Sequence, residues 1–96
     1  MEIEHVEKKE RGFFAAKENG KEAGLMTYTY IDNRRFIIDH TEVDDEFNGR
    51  GVGKAMVMEA VKYARTKDLK ILPLCPFAKS IFNKTPEIAD VLYKPY

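Results

Sequence analysis

The sequence predicts an α+β domain: a mostly antiparallel sheet, one parallel crossover pair at its end, and three helices. Three observations carry this expectation. The first half of the chain alternates apolar and polar residues with a period of two, broken by turn residues. The middle switches to apolar spacings of three and four. A short apolar run then follows, so that strand, helix and strand succeed one another as in a parallel crossover.

Ile3 to Lys8 reads as an opening strand, and Gly12 to Lys17 as a second. The second ends at Glu18-Asn19-Gly20, and Asn-Gly is the strongest short hairpin signal. The next strand runs from Ala23 to Ile31, where Leu25, Thr27, Thr29 and Ile31 alternate with Met26, Tyr28 and Tyr30. That period gives the strand two distinct faces, and the tyrosines belong to one of them. Asp32-Asn33-Arg34 marks a turn, and Arg35 to Val43 follows as a strand carrying Phe36, Ile37 and Ile38. Successive strands joined by short turns form an antiparallel meander.

From about Gly51 to Lys67 the residues Val52, Ala55, Met56, Ala60, Val61 and Ala64 line one side of an amphipathic helix. Leu69 to Leu74 is a short apolar strand. Pro76 suits the first turn of a second helix, Phe77 to Asn83. Thr85-Pro86-Glu87 has the cap, first-turn proline and first-turn acid of a third, short helix.

The 96 residues include 16 Lys+Arg and 16 Asp+Glu, so the formal net charge is zero. One domain, residues 1–96, is expected at this length. A single cysteine excludes an internal disulfide, and with two histidines it cannot complete a four-ligand zinc site, so no metal is expected. A neutral chain without a basic stripe is not built to coat nucleic acid. The longest apolar run, Ile71 to Ala78, falls far short of the ~20 residues that cross a bilayer. No basic start followed by an apolar run opens the chain, so a cytoplasmic protein with a reduced thiol is expected. The oligomeric state stays open.

The segment Asn48-Gly49-Arg50-Gly51-Val52-Gly53-Lys54 lies between a strand and a helix. Glycines there let the backbone turn sharply and present several N–H groups. The helix that follows points its positive end at the same place, which suits phosphate or pyrophosphate. Arg50 and Lys54 add positive charge. A Walker A loop fails, because Asn48 stands in place of its first glycine and Ala55 in place of the Ser/Thr that holds magnesium. A dinucleotide fingerprint fails on the spacing of Gly49, Gly51 and Gly53, and on the preceding meander.

The segment resembles instead the pyrophosphate loop of the GNAT N-acetyltransferase superfamily, Gln/Arg-x-x-Gly-x-Gly/Ala. Gly51 and Gly53 match its glycines, and Asn48 departs from its first position. The bland alternative is a glycine-rich turn with no ligand. A second match is Asn-x-x-Ala-x-x-x-Tyr, found after the fifth strand in many members. In register, Ala78 matches, Cys75 stands at the Asn position and Phe82 at the Tyr position. The Tyr protonates the departing thiolate in such relatives, and Phe82 has no proton to give. His40-Thr41-Glu42-Val43 and Cys75-Pro76-Phe77 are similar to motifs of the subgroup of very small predicted acetyltransferases. The likeness covers Gly12 to the C-terminus.

This resemblance implies a GNAT-like fold and an acetyl-coenzyme A (acetyl-CoA) donor held through backbone groups. It places Val43, Asn48, Gly49, Arg50, Gly51, Val52, Gly53 and Lys54 at the cofactor. It also implies an N-acetyltransferase with an unidentified, amine-type acceptor, or alternatively a non-catalytic CoA-binding module or sensor. In this fold the fourth and fifth strands splay apart to admit the cofactor, and Pro73, which has no N–H, suits that place or simply ends a strand.

Cys75, just ahead of Pro76, sits where a helix dipole favours thiolate. It is a candidate acyl acceptor, or the acid that replaces the missing tyrosine; the alternative is a buried structural cysteine. His40 and Glu42 lie two apart on a strand and share a face unless a bulge intervenes. Either is a candidate base. Their bland roles are a hydrogen-bonded imidazole and a solvated carboxylate.

Overall fold

The computed structural model describes residues 1–94. Five strands form one sheet in the order β1-β2-β3-β4-β5: β1 (Glu2–Glu7), β2 (Arg11–Glu18), β3 (Lys21–Asp32), β4 (Arg35–Val43) and β5 (Lys70–Pro73). The first four are antiparallel neighbours. Among these five strands only the β4–β5 pair is parallel, as the crossover through α1 (Val52–Lys67) requires. A 3-10 turn at Asp45–Phe47, absent from the sequence reading, leads into the glycine segment. The second helix, α2, is Pro76–Lys84. The third, expected from Thr85, is a 3-10 segment at Pro86–Val91.

Local chemistry explains the corners. Asn19 and Gly20 both take positive φ, 53° and 81°, as a two-residue hairpin turn demands. Asp32 accepts the Arg34 N–H at 2.8 Å and so closes the β3–β4 turn. Asp68 ends α1 in the left-handed region, and its N–H reaches the carbonyls of Ala64 and Arg65.

One face of the sheet carries the core. Phe14, Met26, Tyr28, Phe36, Ile38 and Ile71 pack there against Met56, Val57, Ala60, Val61 and Ala64 of α1. Tyr28 is fully buried, and its hydroxyl lies 2.7 Å from His5 Nε2. Tyr63 of α1 donates to Glu7 Oε1 at 2.6 Å and touches the Tyr30 hydroxyl. Thus the tyrosines belong to the packed face and serve as polar ties within it. β1 and β2 are joined by the short turn Lys8–Glu10, so among the described residues no helix covers the other face from that side.

One irregularity decides which residues face which way. Thr27 pairs with His40 but Tyr28 pairs with Ile38, leaving Asp39 as an extra residue in β4. Such a bulge reverses the phase of the strand beyond it. Phe36 and Ile38 before it, and Thr41 and Val43 after it, face the α1 side. His40 and Glu42 face the other side, and both are exposed.

Candidate active site

The glycine segment begins where the Asp45–Phe47 turn ends at Asn48. Gly49 and Gly51 adopt φ of 79° and 75°, and a side chain on either would meet nothing within 4 Å. Their requirement is therefore conformational, since L-residues avoid that region. Gly51 caps α1, and no side chain bonds to the cap. The helix ladder starts with Ala55 N–H donating to the Gly51 carbonyl at 2.9 Å. The N–H groups of Val52, Gly53 and Lys54 precede that bond and lack an intrahelical acceptor. The first turn contains no acidic side chain to occupy its positive end. The Arg50 guanidinium lies over the Phe47 ring, 5.4 Å from its centroid.

Two of the residues expected at the cofactor also have packing roles. Val52 is 3% exposed, so its side chain belongs to the core and only its backbone is on offer. Gly53 has ordinary helical φ. A Cβ there would sit 2.4 Å from the Phe77 ring, so this glycine exists to let α2 approach α1. That contact places the start of α2 directly beside the glycine segment.

Cys75 is the N-cap of α2 and is 6% exposed. Its N–H donates to the Ile38 carbonyl at 3.1 Å, and its carbonyl accepts from Lys79 N–H at 3.0 Å. The thiol Sγ lies 3.5 Å from Thr41 Oγ1. Burial pushes the thiol pKa up. The Thr41 hydroxyl and the first-turn N–H groups of Ala78 and Phe77, which face the sulfur without closing a cap, outweigh it and hold the thiol below its ordinary value. Phe82 is buried on the same helix.

β5 stops pairing with β4 at Pro73, opposite Ile38. From Asp39 to Val43, β4 keeps β3 on one side and has no β5 partner on the other. The two strands therefore part there, with Thr41 and Val43 on one face of the gap and His40 and Glu42 on the opposite face. The fold thus brings together Val43, Cys75 and residues Gly51 to Lys54, through contacts at Thr41 and Phe77. It sets His40 and Glu42 across the sheet from Cys75. Thr41 and Phe77, which hold this arrangement, lie inside the motifs His40-Thr41-Glu42-Val43 and Cys75-Pro76-Phe77 but carry no chemical signal of their own in the sequence. Hollows lie elsewhere on the surface, two of which flank the sheet. One of about 730 Å³, lined by Tyr30, Tyr63 and Lys67, is at the far end of α1. Another of about 570 Å³, lined by Phe13, Thr27 and His40, opens on the uncovered face. Among the described residues no group of three or more His, Cys, Asp or Glu could hold a metal ion. No helix among them is long and apolar enough to cross a membrane.

A family model of the GCN5-related N-acetyltransferases matches residues 12–91. The chain belongs to this family. It is 28% identical over 87 residues to Protein NATD1 of Xenopus tropicalis, covering 90% of this chain and 78% of that protein. The solution structure of a GCN5-like candidate N-acetyltransferase from Staphylococcus aureus is 34% identical and superposes with a TM-score of 0.70, over 97% of this chain and 90% of that one. A GNAT-family acetyltransferase from Elizabethkingia anophelis with acetyl-CoA bound shares the fold at 16% identity and a TM-score of 0.65. That match covers 80% of this chain and 53% of the larger enzyme. The mostly antiparallel sheet with its parallel end pair is thus the GNAT fold, as the sequence predicted.

Proposed function

We propose that this member of the acetyltransferase family moves an acetyl group from acetyl-CoA to an amine. One observation carries the reading: unpaired N–H groups of Val52, Gly53 and Lys54, with an open glycine turn before them, adjoin the place where β4 and β5 part. A diphosphate suits this cradle, because amides and helix dipole converge on one anion site and the first turn of α1 holds no acidic side chain. Arg50 and Lys54 supply charge beside it. Asn48 and Gly49 shape the approach, and the edge of β4 at Val43, which has no β5 partner, lines the gap.

Acetyl-CoA supplies a thioester whose carbonyl carbon an amine attacks, forming the C–N bond and breaking the C–S bond. His40, or Glu42 through water, takes the proton that the amine sheds, from the exposed side of the gap. Cys75 gives a proton to the departing CoA sulfur, the duty that buried Phe82 cannot perform. Thr41 and the start of α2 stabilise the Cys75 thiolate that results. The chain works in the cytoplasm, with acetyl-CoA and an unidentified acceptor as its partners and no nucleic acid or membrane. Residues 1–96 act as one domain.

The test combines amide spectra, thiol release and intact mass. Excess acetyl-CoA should shift the amides of Gly49 to Lys54, and an amine acceptor should then release free thiol. Cys75→Ser should slow release at saturating acetyl-CoA by roughly a hundred- to ten-thousandfold, in the range of general-acid losses. Full activity in Cys75→Ser removes the thiol from the mechanism. A gain of one acetyl mass on Cys75 instead makes it a transient acyl carrier. Shifts without thiol release favour a CoA-binding module, and unmoved loop amides defeat the reading.

A further inference from the structure

The hollow on the uncovered sheet face carries a charge pattern that the transfer reaction alone does not need. Phe13, Thr27 and His40 are register partners and form one row across three strands. Arg11 pairs with Thr29 in the next row, about 7 Å along the strands. Asp39, the bulge residue, accepts a hydrogen bond from Thr29 Oγ1 at 2.7 Å. These residues and Lys8 line the hollow of about 570 Å³. It begins at the residue after Ile38, where β4 loses its β5 partner.

The two ends of the hollow differ in charge. Asp39 and His40 stand on β4, at the gap. Lys8 and Arg11 stand beyond β3, with Arg11 and Asp39 backbones about 10 Å apart across it. Neither Lys8 nor Arg11 forms an ion pair among the described residues. Between the ends lies half-buried Phe13. A simple amine would leave both cations unmatched and be repelled by them. An amine that also carries a carboxylate matches both ends at once: its nitrogen at Asp39 and His40, its carboxylate at Arg11 and Lys8, and any apolar side chain on Phe13.

We infer that this hollow is the acceptor site and that its acceptor is a small amine bearing a carboxylate, of amino-acid type. The assignment rests on the proposed acetyl transfer for its chemistry. Asp39 holds the incoming ammonium, and His40 takes its proton. His40 passes that proton to solvent. The freed nitrogen then attacks the thioester carbon through the gap, the C–N bond forms as the C–S bond breaks, CoA leaves with a proton from Cys75, and the nitrogen's second proton goes to His40; water reprotonates the Cys75 thiolate.

The experiment uses the full chain and a matched pair of probes, L-phenylalanine and phenethylamine, which differ only in the carboxylate. Amide spectra are recorded first without acetyl-CoA. L-phenylalanine should shift Phe13, Thr27, Thr29 and His40, at a concentration at least tenfold below that needed for phenethylamine. Arg11→Ala and Lys8→Ala should each erase about tenfold of that preference, while acetyl-CoA still shifts the glycine loop to the same extent. With acetyl-CoA present, thiol release should show the same preference in kcat/KM. Equal affinity for the two probes, or shifts confined to another surface, overturns the inference while leaving acetyl-CoA binding intact. Shifts in the hollow without any at Gly49 to Lys54 uphold the amino-acid site and defeat the donor reading instead.

Discussion

Cys75 has properties that no neighbour in sequence confers on it. Its partner Thr41 lies 34 positions away and reaches it only because β4 outlasts β5. Replacing Thr41 with Val removes the hydroxyl that favours the thiolate, so the thiol pKa should rise. The rate of iodoacetamide alkylation against pH reads this directly; an unmoved midpoint would remove Thr41 from the account. His5 is a second residue whose state is set by packing. Burial lowers its pKa beneath the ordinary 6.5, more than Glu7 and Glu59 raise it. A lowered folded-state pKa means that the unfolded chain takes up the proton first as pH falls below 6.5. Stability should therefore fall as pH drops through that value and level off below the folded pKa. Thermal melts from pH 8 to 5 test this, and His5→Gln should flatten that part of the profile.

At the scale of elements, the start of α1 depends on two glycines for different reasons. Gly51 has open space around it but a left-handed backbone, so Gly51→Ala costs conformational strain of about 1–2 kcal/mol. Gly53 has a helical backbone but no room, so Gly53→Ala forces the Phe77 ring aside at about 1–3 kcal/mol. Denaturant melts of each, alone and with Phe77→Ala, separate the two. Phe77→Ala should rescue Gly53→Ala and leave the Gly51→Ala penalty unchanged. Rescue of both, or of neither, would contradict the contact described. The first helix also holds the last segment: Arg65 of α1 bonds the Asp90 carboxylate twice, at 2.8 and 3.0 Å, and also the Glu87 carbonyl.

For the whole molecule, the sheet has one face packed on helices and one face left open by the short β1–β2 turn. That asymmetry gives each side a task in the proposed reaction: donor at the helix starts and acceptor on the open face. Acetyl-CoA at a hundred times its dissociation constant should stabilise the native state by about 2.7 kcal/mol, if it binds only the folded chain. In a domain of this size that is a rise in Tm of roughly 10 °C or more. CoA without the acetyl group should give most of the same rise, because the cradle addresses the diphosphate. A Tm that neither ligand moves would leave the glycine segment as a turn.

Much of this was legible in the chain itself. Period-two and period-3.6 patterns marked the strands and α1, since side-chain direction is fixed by local backbone geometry. Asn19-Gly20, the glycine segment and Cys75-Pro76 marked corners whose conformations few other residues adopt. Pro73 stood at the last β4–β5 pair, as its missing N–H suggested. The 3-10 form of Pro86–Val91 was not visible, because the same cap residues open either kind of helix. Nor was the Asp39 bulge, which arises from the fit of β4 against β3 rather than from any local signal. Strand order, helix spacing and the glycine-rich turn were thus written in short-range preferences. Which side of the sheet each of Thr41, His40, Glu42 and Cys75 serves was settled only by packing, because one extra residue in a paired strand exchanges its two faces.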